Sequence, residues 1–365
     1  THPDPTPADY AAIGATVAPT ATANELLNTA LALKNDDAVD TLGEVNTLIN
    51  SANAVVALAA GNTSGLTGST PQEQTADLKA KLEALGITGL ASSTMAAVQA
   101  AIAASNDNGS DLNSLSELQA MADAAKAAQQ AVKNFADGGS PAPDATTYAA
   151  MGIVLSHPPA VTQAVADAMV TALNNALASD NITSSDVSTP QQLQAIANAY
   201  THVLAAADAG VSPTAPDNLP TAADYAALEI TPLPAAGTET QPPSALNLLN
   251  SVVDGLAQNK VNTPAALSEL SGIVARLMDT AAGKTPTSPV GVADLERLGL
   301  TGVDTNSLPA VISAIAASAA PMRSACSAKT AATNSPWTRS TSWKSITKRP
   351  WCGARKYTIR SSSNW

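Results

Sequence analysis

The side chains that most often carry out catalysis or bind metals are few in this chain and lie far apart. The histidines are His2, His157 and His202, and the cysteines are Cys326 and Cys352. None of them falls into an HExxH or CxxC pattern, and the sequence has no GxSxG elbow, Walker loop or GxGxxG motif. We therefore predict a non-enzyme with no catalytic residues, no metal site and no cofactor. His202 is expected to be a surface residue on the polar side of a helix.

Two acidic loops contain the hard oxygen ligands that Ca²⁺ prefers. They are Asn35–Asp40 and Asn106–Asp111. Neither has the ligand spacing of an EF-hand, and Asn, Asp and Gly are also the ordinary residues of turns and helix caps. We interpret both loops as turns, with weak calcium binding as the alternative.

Tyrosines recur at one position of a repeated pattern. Tyr10, Tyr148 and Tyr225 each lie four residues before the end of a short helical segment, and Leu82 and Leu295 stand at the equivalent place elsewhere. A row of tyrosines could face a ligand, but a tyrosine that recurs in this way more often packs between helices while its hydroxyl group finds a partner. We predict the packing role and keep the ligand-facing row as the alternative.

The elements that hold these residues recur at a nearly constant interval. Four similar segments, TLGEV, SLSEL, TPQQL and TPAAL, begin at Thr41, Ser114, Thr189 and Thr263, so that successive starts are 73, 75 and 74 residues apart. Each opens an apolar helical run. A fixed period of this size indicates tandem copies of one supersecondary unit.

Each of these segments has the features of a helix start. Thr41, Ser114 and Thr189 are followed three residues later by Glu or Gln, which is the capping-box pattern. Pro190 and Pro264 fall at the first helical position, where no N–H donor is needed. The apolar residues that follow have the spacing of an amphipathic helix. Three glycines are expected to end these long helices: Gly61, Gly138 and Gly210.

Two shorter helices are predicted before the long helix of each unit. The first begins at a Thr or Asp cap and stops at a glycine, as from Thr6 to Gly14 and from Asp144 to Gly152. The second follows a short loop, as in 24–33 and 245–257. Three short helices bury their apolar stripes only by packing together, so each unit should form a small bundle.

The sequence therefore predicts an all-α protein of tandem small three-helix bundles joined by Pro/Gly-rich links, such as 138–143 and 210–216. Aromatic residues make up only 3% of the chain, and long β-branched alternation is absent, so strands are not expected. The links are semi-stiff, and the bundles are expected to follow one another like beads on a string. The predicted parts are repeat 1 (5–61), repeat 2 (70–139), repeat 3 (143–210), repeat 4 (220–283), a truncated repeat 5 (289–320) and a basic tail (321–365).

Charge is distributed unevenly along the chain. The net charge is −12, all 30 acidic residues lie before position 305, and half of the basic residues lie from Arg323 onward. Acidic repeats repel phosphates, so we predict that the repeats do not bind nucleic acid. No run of 18 apolar residues occurs, and no membrane span is predicted. The first residues have no basic stretch, which is typical of a mature protein or of a piece of a longer one.

From Met322 onward the sequence changes in character. This tail contains all four tryptophans and nine Lys or Arg, with no acidic residue and no helical period. One interpretation is a basic aromatic segment that binds anionic surfaces or nucleic acid. The favoured interpretation is an out-of-frame or degenerate terminus that is disordered and dispensable for the stability of the repeats.

The order of a Leu-Gly-Ile stop, a loop and a Thr-capped helix resembles the GA module, the three-helix albumin-binding module of bacterial surface proteins, most clearly in Thr41–Asn50. Residues 5–320 are also similar to the Ala/Thr-rich tandem repeats of very large proteobacterial surface adhesins, through the tags at Ala8–Gly14 and Ala223–Thr231. The resemblance implies three-helix bundles with an adhesive or spacer role at the cell surface.

We therefore expect a non-catalytic region of a secreted or surface protein of a bacterium, acting outside the cell as an adhesive or spacer stalk. The expected partners are another protein or a cell-surface component, and neighbouring repeats of a longer parent chain. The alternative is a GA-like module that binds a host or partner protein through a helix face. Apolar side chains on the outward face of a second helix would favour this alternative, whereas the stripe of Val161, Val165, Met169 and Leu173 is already explained by packing in one core.

Overall fold

The computed structural model describes residues 4–17, 19–105, 110–155, 163–210, 219–233 and 244–318. In this part of the chain the regular structure is helical, and β pairing is limited to one bridge between Asp208 and Ala257. The predicted all-α class is therefore confirmed. The α-helices of the described residues are α1 (Pro7–Ala12), α2 (Ala21–Leu31), α3 (Leu42–Ala59), α4 (Pro71–Leu85), α5 (Met95–Ala103), α6 (Leu115–Ala136), α7 (Ala145–Ala150), α8 (Gln163–Leu177), α9 (Pro190–Ala206), α10 (Ala222–Ala227), α11 (Ala245–Asp254), α12 (Pro264–Ala281), α13 (Val292–Arg297) and α14 (Leu308–Ser318).

The helices follow the predicted period. Each of the ranges predicted as repeats 1 to 4 contains three of them, and the range of repeat 5 contains α13 and α14. The last helix of each set of three, namely α3, α6, α9 or α12, begins directly after the predicted Thr or Ser. The predicted tail, most of the second Pro-rich link and Asn106–Gly109 lie outside the described residues.

Local hydrogen bonds explain why the helices begin where they do. Thr41 and Thr189 form complete capping boxes with Glu44 and Gln192. Ser114 accepts a hydrogen bond from the Glu117 N–H at 3.2 Å and donates its hydroxyl to the Glu117 carboxylate at 2.8 Å. These side chains satisfy N–H groups that the first helical turn leaves without a partner, so the start is encoded within four residues.

The first helices end at a left-handed residue, as the sequence predicts. Gly14 has a φ of +92° and Gly152 a φ of +71°. The equivalent position in repeat 4 is Glu229, which adopts a φ of +53° without being a glycine. A side chain is strained in this conformation, so repeat 4 keeps the backbone of the stop although its sequence disfavours it.

The hydrophobic core continues across the predicted repeat boundaries. Helix α3 packs against α4, α6 against α7, and α9 against α10, so each long helix contacts the first helix of the following repeat. One cluster of buried side chains joins repeats 1 and 2, and a second joins repeats 2, 3 and 4. A third includes Leu277 of repeat 4 and Leu295 of repeat 5. The core of each repeat is completed partly by side chains of the next repeat. Independent folding of each repeat therefore stays a prediction.

The second helix of a repeat also contacts the following repeat. The Leu115 N–H at the start of α6 donates to Thr29 Oγ1 on α2 at 2.9 Å. In the same way, Asn175 Nδ2 on α8 donates to the Asn262 carbonyl, just before α12, at 3.1 Å. A later repeat therefore rests on both the second and the third helix of the repeat before it.

Candidate functional site

The recurring tyrosines each form a buried hydrogen-bonded group. Tyr148 Oη donates to Asn174 Oδ1 at 2.5 Å, and Tyr225 Oη donates to Asn250 Oδ1 at 2.9 Å. The amide nitrogen of each asparagine donates to the carbonyl of the proline that precedes the first helix: Asn174 to Pro143 at 2.9 Å and Asn250 to Pro220 at 2.8 Å. Repeat 1 has the same group in Tyr10, Asn28 and Pro5. We call this arrangement the Tyr–Asn–Pro group.

The Tyr–Asn–Pro group joins the first helix to the second and leaves no tyrosine face for a ligand. All three rings are buried, and burial raises the pKa of each phenol, to about 12 at Tyr10, where the neighbouring carboxylates of Asp9 and Asp4 add to the effect. The hydroxyl group is satisfied by a neutral amide oxygen, and no base that could ionise it takes part in the group. The arrangement favours the packing role over the ligand-facing row.

A second recurring contact joins the third helix to a loop residue that follows the first helix. Gln119 accepts from the Thr88 N–H at 2.9 Å and donates to the Thr88 carbonyl at 3.3 Å. Gln194 makes the same pair of bonds with Val154, at 2.9 and 3.0 Å. In repeats 1 and 4 this place, five residues after the cap, is taken by Asn46 and Ser268, which accept from Thr16 and Thr231. In each case the side chain from the third helix takes the place of a backbone hydrogen-bond partner. These polar residues therefore have a structural role.

A third recurring contact lies between the third helix and the first helix of the next repeat. His202 Nδ1 lies 3.0 Å from the Asp224 carboxylate, and Arg276 Nη2 lies 2.7 Å from that of Asp294. His202 and Arg276 both stand thirteen residues after their helix caps, and both aspartates occupy the third position of the next repeat's first helix. His202 Nδ1 does not form a hydrogen bond with Asp224. The two side chains therefore form an ion pair only when the imidazole ring is protonated.

His202, expected to be a surface residue, is partly exposed in the structure. Its side chain is 32% exposed and faces Asp224 across the boundary between repeats 3 and 4. From the sequence of α9 alone, His202 lies on the polar side of the helix. The residue that contacts it, Asp224, belongs to the next repeat. His2 and His157 lie outside the described residues, as do Cys326 and Cys352.

The acidic loops do not assemble a cation site in the part of the chain that the structure describes. Asp36–Ala38 forms a short 3-10 turn, and the carboxylates of this loop are exposed. No group of three or more His, Cys, Asp or Glu side chains is placed to hold a metal ion among the described residues. Most of the second loop, Asn106–Gly109, falls outside them.

One buried amide has no counterpart in the other repeats. Gln129 on α6 donates to the carbonyls of Ser188, at 2.6 Å, and of Ser93, at 3.3 Å, and it lines a cavity of about 310 Å³ together with Lys126 and Lys133. Equivalent positions in the other long helices are apolar, namely Val56, Leu204 and Met278. This polar exception was the signal in the sequence that could have predicted a contact between repeats 2 and 3.

The described residues thus form an all-α protein in which recurring polar groups join one helix to another. No helix among them is long and apolar enough to cross a membrane. Comparison of the chain with protein-family models, curated proteins and solved structures finds no match. The recurring groups satisfy backbone donors and acceptors. The sequence-based reasoning missed their asparagines and glutamines, of which Gln119 and Gln194 each stand five residues after a helix cap.

Proposed function

We propose that the chain is an array of tandem three-helix units that serves as a non-catalytic adhesive or spacer stalk of a bacterial surface or secreted protein. The observation that carries this proposal is the repeated junction, in which a long helix packs on the first helix of the next unit. Units that contact mainly their neighbours can be added or removed without redesigning the rest, which suits a part whose purpose is to span a distance.

Surface charge supports the same role. All 30 acidic residues of the chain lie before position 305, and several of their carboxylates take part in helix capping boxes. Hydrogen bonds from Thr147 and Thr146 lower the pKa of Asp144 to about 2, and bonds from Thr6 lower the pKa of Asp9. Such carboxylates stay ionised at any physiological pH, and an acidic surface of this kind resists self-association.

The faces of the second helices argue against the GA-like alternative. Among described side chains, the large apolar residues of highest exposure lie in loops or at helix ends, and none lies within α2, α5, α8 or α11. Met169 and Leu173, which belong to the apolar stripe of this second helix, are buried. Val161 and the side chain of Val165 lie outside the described part. A module that binds a protein through this helix needs exposed apolar anchors there.

The test varies the number of units. Removing residues 145–221 joins Asp144, the cap of α7, directly to Ala222, the first residue of α10, and inserting a second copy of the same segment adds one unit. If the chain is a spacer, the deletion should shorten its maximum dimension in small-angle X-ray scattering, and the insertion should lengthen it by the same amount. A maximum dimension that does not follow the number of units would overturn the proposal.

Serum albumin provides the second arm of the test, since it is the ligand of the GA modules that the sequence resembles. We expect no heat of binding when albumin is titrated into the full chain in a calorimeter. Saturable binding would instead support the protein-binding alternative.

A further inference from the structure

The first helix of repeat 1 exposes an apolar residue whose equivalents are buried in the following repeats. Ile13 is 59% exposed, whereas Leu85, Met151 and Leu228, which precede the same left-handed stop, are each 0% exposed. In repeats 2, 3 and 4 this first helix is covered by the long helix of the preceding repeat. The side chain of Ile13 is therefore suited to a contact that repeat 1 does not make within the described chain.

A second residue of repeat 1 shows the same difference. Leu42, at the first position of α3, is 42% exposed, whereas the equivalent Leu115 is 7% exposed and Pro190 and Pro264 are buried. Leu115 is covered where α2 of the preceding repeat meets α6. Leu42 lies beside Gly14, the residue that follows Ile13, because a Cβ atom placed on Gly14 would be 3.7 Å from Leu42 Cδ2.

A carboxylate completes this surface. Asp9 occupies the third position of α1. At the same position, Asp224 lies 3.0 Å from His202 and Asp294 pairs with Arg276, both of the preceding repeat. Asp9 is exposed, and among the described residues no basic side chain pairs with it. We call Asp9, Ile13 and Leu42 the end face of repeat 1.

We propose that the end face of repeat 1 is a docking surface for another repeat of the same design. The partner presents a Thr-capped long helix that resembles α12. It has apolar residues at the positions of Ile273 and Leu277 and a basic residue at the position of Arg276. Ile273, Leu277 and Arg276 meet repeat 5 through Leu295 and Asp294, and Glu269 of α12 also pairs with Arg297 of repeat 5. The occupant follows from the chain itself, since the junctions before repeats 2, 3 and 4 bury the residues equivalent to Ile13 with this element, and the junction before repeat 5 partly buries Leu298. The inference does not depend on the proposed stalk role.

The test uses the full chain and a synthetic peptide of residues 263–283. A hydrocarbon staple between positions 268 and 272, which face Thr231 and Pro232 of their own repeat, keeps the peptide helical away from its docking side. Binding of the fluorescent peptide is followed by anisotropy. We expect saturable binding that Ile13→Glu weakens at least tenfold, while Leu33→Glu, at a residue 73% exposed outside the end face, leaves it unchanged.

Two further variants locate the site and test its charge. Leu300→Glu examines repeat 5, where the exposed Leu300 could also bind a long helix. The end-face proposal predicts that Leu300→Glu retains the Ile13-dependent binding and that a peptide with Arg276→Glu binds repeat 1 more weakly. Absence of binding to the wild-type chain, or binding that is lost in Leu300→Glu and kept in Ile13→Glu, would overturn it. Unchanged thermal melting of the Ile13→Glu chain shows that the variant is folded.

Discussion

At the scale of single residues, repeat 4 departs from its neighbours at the stop of the first helix. Gly14, Gly86, Gly152 and Gly299 all have positive φ at this place, and only Glu229 must adopt it with a side chain. The backbone hydrogen bond from the Ile230 N–H to the Tyr225 carbonyl, at 3.0 Å, holds the turn in place. The helix-terminating turn thus keeps a backbone conformation that the glutamate itself disfavours.

Replacing Glu229 by glycine should stabilise the protein. Relief of the left-handed strain exceeds the added entropy of glycine in the unfolded chain, and we expect a gain of about 0.5–1 kcal/mol. The measurement is the urea midpoint of the full chain. The reverse change, Gly299→Ala, should lower the midpoint, because its Cβ meets no atom within 4 Å and only the backbone strain remains. Equal midpoints for Glu229→Gly and wild type would show that the turn is not strained.

The Tyr–Asn–Pro group makes a second prediction about single residues. Asn250→Ala leaves the Tyr225 hydroxyl and the Pro220 carbonyl buried without partners, and should cost about 2–4 kcal/mol. Asn28→Ala in repeat 1 should cost less, because Asn24 Nδ2 also donates to the Pro5 carbonyl, at 3.1 Å. Chemical denaturation of both variants provides the comparison. A larger loss for Asn28→Ala would contradict the role assigned to the buried asparagine.

At the scale of helices, caps decide where the long helices begin. Thr189 accepts from the Gln192 N–H, and the Gln192 amide oxygen accepts from the Thr189 N–H at 3.0 Å. This reciprocal pair lies directly beside Ser188, whose carbonyl accepts from Gln129 of repeat 2. The start of α9 is therefore held both by its own sequence and by the preceding repeat.

Thr189→Ala should destabilise repeat 3 by about 0.5–2 kcal/mol through loss of the cap. Amide hydrogen exchange in the first turn of α9 is expected to speed up, and Thr189→Ser, which keeps the hydroxyl group, should remain close to wild type. If exchange is unchanged in Thr189→Ala, the helix start depends on the contact with Gln129 and not on the capping box.

At the scale of the whole array, burial at a given position depends on whether a preceding repeat covers it. Ile13 and Leu228 occupy the same place in the same short helix, yet one is 59% exposed and the other 0% exposed. Leu228 belongs to a core cluster that includes residues of repeats 3 and 4. The apolar character of this position therefore serves the junction and not the single repeat.

This difference yields a matched pair of substitutions. Leu228→Ala removes buried methyl groups from a shared core and should cost about 2–5 kcal/mol, whereas Ile13→Ala should change stability by no more than about 0.5 kcal/mol. Hydrogen exchange in Leu228→Ala should accelerate in α9 as well as in α10. Acceleration confined to α10 would show that the two repeats unfold separately.

The sequence by itself determined the helices. Capping boxes, prolines at first positions and stop glycines act between residues a few positions apart, so the starts of α3, α6, α9 and α12 could be predicted without a structure. The asparagines and glutamines of the recurring contacts were missed, because their partners lie 18 to 40 residues away. Only the tertiary structure decided which faces meet. Ile13 and Leu228 have nearly the same local sequence, and what separates them is the presence of a neighbouring long helix, which no local pattern specifies.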